Sequence, residues 1–209
     1  MIALWIVPIT AGWIAGWLVN YLADVLPFTR RLGKPVCLQC GAPIALKEYL
    51  LLRPCPNGHA RKARAWLVQI VMLAVSVYAW IQPPPKIGYL PGMILLVYFG
   101  VIVAIDMEHR LILHPTSIAG SLLALTLGLA SNGLRDTLLG GLGGLLIMLG
   151  FYYIGVLFSR IRARRMRSKG QETDDEEALG AGDVILVAIL GLLVGWPLIW
   201  FCILISILL

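Results

Sequence analysis

Charge is what this chain has least of. Only 13% of its 209 residues are Asp, Glu, Lys or Arg, about half of what a soluble domain carries. Hydrophobic residues make up 59%, and the mean hydropathy is +0.86. That scarcity excludes a soluble globular domain and predicts an integral membrane protein with several spans. The net charge of +6 sits in the loops, where it reports topology and does not call for a nucleic-acid partner. Cysteine is scarce too. Three of the four fall in one loop, which speaks for a metal site and against a disulfide framework. The fourth, Cys202, lies in an apolar run and reads as a buried small residue. The first apolar run, Ile2–Leu22, lacks a basic leading region and a small-residue cleavage site, so it reads as a retained helix and not a cleaved signal. No internal repeat is visible.

What is present is a series of apolar runs: 2–22, 65–81, 89–105, 116–130, 137–158, and from 179 to the end. A helix of about 20 residues crosses a bilayer. Gly195-Trp196-Pro197 should break the last run into a span ending near Val194 and a second piece starting at Pro197. That piece is short for a normal bilayer. The chain thus divides into a first transmembrane helix (1–26), a cytoplasmic cysteine loop (27–64) and a membrane bundle (65–209). Alternate loops carry fifteen basic residues on one side and two on the other. The rich side is cytoplasmic, and the N-terminus faces out. The loop from Arg160 to Glu177, basic then acidic, reads as a solvated linker with a positive stop near lipid headgroups.

Two carboxylates stand out against this background. Asp106 closes one apolar run, and Asp183, in Gly180-Ala181-Gly182-Asp183, opens another. Charges at membrane depth cost about 2.5–3.5 kcal/mol on insertion scales and are usually functional. The topology puts both at the cytoplasmic leaflet. Two carboxylates that approach closely cannot both stay ionised, so the pair shares a proton. The ionised member can activate a water against a scissile carbonyl while the protonated one donates to the carbonyl oxygen. Gly180 and Gly182 would let a substrate backbone approach the helix start. The bland alternative makes Asp106 a juxtamembrane polar residue and Asp183 a helix-N-terminal carboxylate on the favourable dipole end. His109 and His114 lie close enough in sequence to tune Asp106, or are simply solvated. Asn20 is assigned to substrate binding, with a hydrogen bond inside the bundle as its alternative.

Cys37-x2-Cys40, then Cys55 and His59, has the donor set of a closed tetrahedral zinc site. Gly41 and Pro56-Asn57-Gly58 supply tight turns. A site with four protein ligands would be structural and would pin a loop too short to bury its own core. Three reduced thiols without metal are the alternative.

At these residues the sequence resembles a family. Ala104-Ile105-Asp106-Met107-Glu108-His109-Arg110, with Leu111-Ile112, is similar to the first aspartate segment of bacterial type IV prepilin peptidases. Gly180-Ala181-Gly182-Asp183-Val184 is similar to the second. Gly16-Trp17-Leu18-Val19-Asn20-Tyr21, with Leu26-Pro27, resembles the N-terminal segment, and Cys37-Leu38-Gln39-Cys40-Gly41 resembles the cytoplasmic cysteine loop. The resemblance implies an all-α, polytopic transmembrane helical bundle with a small cytoplasmic zinc-binding loop. It implies an aspartic endopeptidase of the bacterial cytoplasmic membrane, with Asp106 and Asp183 catalytic at the cytoplasmic side. Its substrates would be prepilins or pseudopilins of type IV pili or type II secretion. Longer family members also methylate the new N-terminus with S-adenosylmethionine. The chain departs from the family's pattern at Ile185, where Lys is common, at Leu113-His114-Pro115, and at Cys55/His59, where a second Cys-x-x-Cys is usual. Family members normally continue through a further helix beyond the position of Leu209.

Two other classes fit a membrane protein with few charges. A proton-coupled transporter would want its carboxylates near the midplane. A non-enzymatic scaffold would use the cysteine loop for docking.

Overall fold

The computed structural model describes residues 2–37, 39–61, 63–167 and 180–208. Among them the fold is helical: α1 (Ile2–Thr29), α2 (Leu46–Leu50), α3 (Ala63–Ile81), α4 (Tyr89–His109), α5 (His114–Arg167), α6 (Ala181–Val194) and α7 (Leu198–Leu208). The only β pairing among the described residues is one antiparallel bridge, Val36 to Pro43. Among the described residues four helices (α1, α3, α4 and α5) are long and apolar enough to cross a membrane. The acidic run 172–177 expected in the linker lies outside the described residues. The chain forms two compact units, Met1–Thr116 and Ser117–Leu209.

In the first unit α1 and α3 pack antiparallel along a ladder of four-residue steps. Gly12, Gly16, Asn20 and Asp24 lie on one face of α1. They meet Ser76, Gln69, Ala65 and Arg64 in turn. The buried stripe of α3 (Ala65, Gln69, Met72, Ser76) has the matching spacing. A Cβ on Gly12 would come within 2.8 Å of Ser76 Cβ, and one on Gly16 within 2.9 Å of the Gln69 amide, so glycine is what allows the approach. Polar side chains then bond across the gap: Gln69 Nε2 donates to the Trp13 carbonyl at 2.8 Å, and Ser76 Oγ to that of Pro8 at 2.7 Å. In hydrocarbon, such bonds replace a hydrophobic driving force that lipid removes. Val19, Ala23, Met72, Val101, Ala104, Ile105 and Leu113 form the apolar core where α4 joins the pair.

The second unit is held by backbone-to-backbone contact. Gly140 and Gly191 lie so close that a Cβ on either would strike the other's carbonyl oxygen. Asn132 Nδ2 donates to the Leu193 carbonyl at 2.9 Å, and the Trp196 N–H to that of Asp136 at 2.9 Å. The runs 116–130 and 137–158, read from sequence as separate spans, form two helices within α5 that meet at a kink, the non-helical Gly133 (φ 80°, ψ 171°). That backbone is open to glycine and hostile to other residues, so a single residue replaces a loop. The break at Gly195-Trp196-Pro197 falls as expected between α6 and α7. At about 1.5 Å per residue neither of these helices alone reaches across an ~30 Å hydrocarbon core. Cys202 corrects its reading: it is exposed. The buried positions of α7 are Ile199 and Ile203, one turn apart, and Cys202 stands off that stripe.

Candidate functional site

The cysteine loop folds as two turns facing each other. In the first, the Gly41 N–H bonds the Cys37 carbonyl at 2.8 Å and the Cys37 N–H the Ala42 carbonyl at 2.8 Å. In the second, the Gly58 N–H bonds the Cys55 carbonyl at 2.8 Å, and the Cys55 N–H the His59 carbonyl at 3.1 Å. Gly41 (φ 69°) and Gly58 (φ 81°) occupy the left-handed positions that close such turns. The four expected ligand atoms, on Cys37, Cys40, Cys55 and His59, lie within 4.8 Å of one another. Cys40 and Cys55 Sγ are 3.7 Å apart, and Cys55 Sγ is 3.4 Å from His59 Nδ1. A tetrahedron built on ~2.3 Å zinc–sulfur bonds has S···S edges of about 3.8 Å, so the arrangement fits a four-coordinate metal such as zinc. Backbone N–H groups of Gln39 and Cys40 aimed at the Cys37 sulfur lower its pKa to about 6, favouring the thiolate a metal needs. Burial pushes the Cys55 thiol up, so it gives up its proton less readily than Cys37.

The loop is seated on α1 by aromatic contacts. Trp17 stacks on Tyr21, whose ring meets Tyr49 edge-on, and Tyr21 OH donates to the Gly33 carbonyl at 2.7 Å. Fully buried Tyr49 packs with Ile44 and Cys55. Its hydroxyl donates to Asp24. Burial first, and the Asp24 charge second, push the Tyr49 pKa well up, so it stays a donor.

Asp24 collects cations. Arg61, two residues beyond His59, reaches it at 3.2 Å and lies over the Tyr49 ring at 3.8 Å. Arg64 pairs with its other oxygen and, at 3.4 Å, with Glu108 of α4. The Asp24 side chain is 3% exposed. A small cavity lined by Asp24, Cys37, Cys55, His59, Arg61 and Arg64 joins this cluster to the ligand set. Sequence reasoning missed it, because the arginines were counted as topology markers. One signal was there: Asp24 is the only acid before Glu48 and closes an apolar run, as Asp106 does.

The remaining candidates, Asn20 apart, occupy helix ends. Asp106 is exposed in the last turn of α4, and its carbonyl accepts the Arg110 N–H at 2.8 Å where Arg110 turns left-handed (φ 50°). His109 packs edge-on against Phe28 at 5.5 Å. Asp183 is the third residue of α6, exposed, and its N–H bonds the Gly180 carbonyl at 3.0 Å. Gly180, extended at φ −72°, precedes the helix, and Gly182 is half-buried in its first turn. Asn20 is buried at the α1–α3 contact and donates to the Ala65 carbonyl at 3.0 Å.

Asp106 and Asp183 fall in different compact units, and the cysteine loop belongs with Asp106. The model of the type IV leader peptidase family matches residues 93–209. No match was found among curated proteins or solved structures. The matched stretch covers more than half of the chain and takes in both aspartate segments, and the chain belongs to the type IV leader peptidase family.

Proposed function

We propose that this protein is an aspartic endopeptidase of the bacterial cytoplasmic membrane that removes the basic leader from prepilins or pseudopilins. The family match carries the reading. The placing of Asp106 and Asp183 at helix ends supports it, because a substrate arriving from the cytoplasm meets groups at a membrane margin more readily than groups at its midplane.

The chemistry needs the two carboxylates to share one proton. The ionised member takes a proton from water as the oxygen attacks the scissile carbonyl. The protonated member hydrogen-bonds the carbonyl oxygen and stabilises the tetrahedral intermediate. The proton gained from water then passes to the departing amine. Gly180 and Gly182 leave room for the substrate backbone beside Asp183, and Asn20 holds α1 against α3. Cys37, Cys40, Cys55 and His59 would hold zinc, which supplies structure only, since four protein ligands leave no open position. Methylation with S-adenosylmethionine rests on the resemblance alone and is not part of this reading.

The test is cleavage of a purified prepilin by the full-length protein in lipid, repeated with Asp106→Asn and Asp183→Asn. Each substitution should slow cleavage by at least about 10²–10⁴-fold. Wild-type cleavage by either variant would refute the pair. Proton-driven uptake without proteolysis would favour a transporter instead.

A further inference from the structure

Around α4 the buried positions at the cytoplasmic end are Val101, Ile102, Ala104 and Ile105. The apolar stripe stops there, one residue before Asp106. A helix end without packed neighbours frays, and the last turn here carries the carboxylate assigned to catalysis. Glu108 continues the inward stripe, one turn beyond Ala104 and Ile105. Its partner Arg64 comes from the first turn of α3 and stands 3.4 Å away, with the two side chains only 16% and 18% exposed. Residues two apart on a helix point about 200° away from each other. Holding Glu108 inward therefore turns Asp106 outward, where it is exposed.

Arg64 is itself fixed. Its other contact is buried Asp24, the last rung of the α1 ladder, which Tyr49 and Arg61 hold from the cysteine loop. A chain of ion pairs runs from Arg61, two residues beyond His59 and lining the same cavity, through Asp24 and Arg64 to Glu108. Phe28 against His109 adds a second hold on the same turn.

We propose that Arg64 is a positioning residue that clamps the end of α4 through Glu108, so that the cysteine loop sets the direction in which Asp106 points. The proposal rests on the catalytic reading of Asp106. It identifies the loop as a brace for the reaction centre, with Arg64 as the joint.

The experiment compares Glu108→Gln, Arg64→Lys and the double variant with wild type and Asp106→Asn, all full-length in lipid. Lysine keeps the charge but has one head for two acids. Prepilin cleavage gives kcat and KM separately, and amide hydrogen exchange over 102–113 reads the helix end without reference to activity. Each single variant should lower kcat about tenfold with KM within about twofold, and speed exchange at the α4 end about tenfold. The double variant should be no worse than the singles, because both break one coupling. Equal losses in the folded fraction and in kcat, with unchanged exchange over 102–113, would overturn the clamp. So would wild-type kcat and exchange in both single variants while Asp106→Asn is inactive, and that result would spare the catalytic reading. Wild-type cleavage by Asp106→Asn would overturn that reading and the proposal with it.

Discussion

Asp24→Asn removes one charge and almost no volume. The amide can still accept from Tyr49, but the Arg61 and Arg64 guanidinium groups, 11% and 16% exposed, lose their shared anion. Several of their N–H donors already lack a hydrogen-bond partner, so the carboxylate is the main compensation for two desolvated charges. Removing one partner of a buried ion pair costs about 3–5 kcal/mol. The arginines keep some access to water, and Arg64 keeps Glu108, so the low end, about 3 kcal/mol, applies. At roughly 2–4 °C per kcal/mol for a chain of this size, the melting temperature should fall by about 6–12 °C. Thermal unfolding of purified protein in one detergent, followed by circular dichroism, measures it. Adding Arg61→Met to Asp24→Asn should recover part of the loss, since it removes the cation that Asp24 had compensated, while Arg64 keeps Glu108. A melting temperature within about 1 °C of wild type for Asp24→Asn would refute the buried-charge argument.

Purified wild-type protein should carry about one zinc per chain by elemental analysis, and Cys55→Ser should retain little; metal-free wild-type protein would remove the site. In metal-stripped protein Cys37 should alkylate with a midpoint near pH 6, with Cys55 lagging at higher pH. The sign follows from the lowered pKa: the Cys37 thiolate favours the folded loop fully above its ordinary value of 9.0, and that contribution is lost as pH falls through about 6. A Cys37 midpoint at the ordinary thiol value would show that its backbone donors are not aimed at the sulfur. Gly191→Ala should destabilise by about 1–3 kcal/mol, because the added methyl meets the Gly140 carbonyl. An unchanged melting temperature would mean that the backbones stand further apart.

Helix ends were legible in this chain because a membrane removes the usual ambiguity. Each apolar run must satisfy its own backbone hydrogen bonds, so it becomes a helix. Proline and glycine then mark where it stops, as at Gly195-Trp196-Pro197. The grouping of Cys37, Cys40, Cys55 and His59 was legible because cysteine and histidine in a short loop have few other uses at that spacing. The break at Gly133 was legible as well, since it falls in the polar gap between the runs 116–130 and 137–158, but not that one residue would suffice for it. Unlike Gly133, the contact of Gly140 with Gly191 depends on two helices meeting, and no local pattern encodes that.

The sequence by itself determined the membrane class, the helices and the family, because hydropathy and short motifs are local properties. Only tertiary structure decided the fate of Asp24, Arg61, Arg64 and Glu108, which lie up to 84 residues apart. Their meaning as a cluster of opposite charges around buried Asp24 is a matter of which partner each one reaches. A charge counted along the chain reports topology; the same charge out of water must find its opposite, and that choice is made in three dimensions.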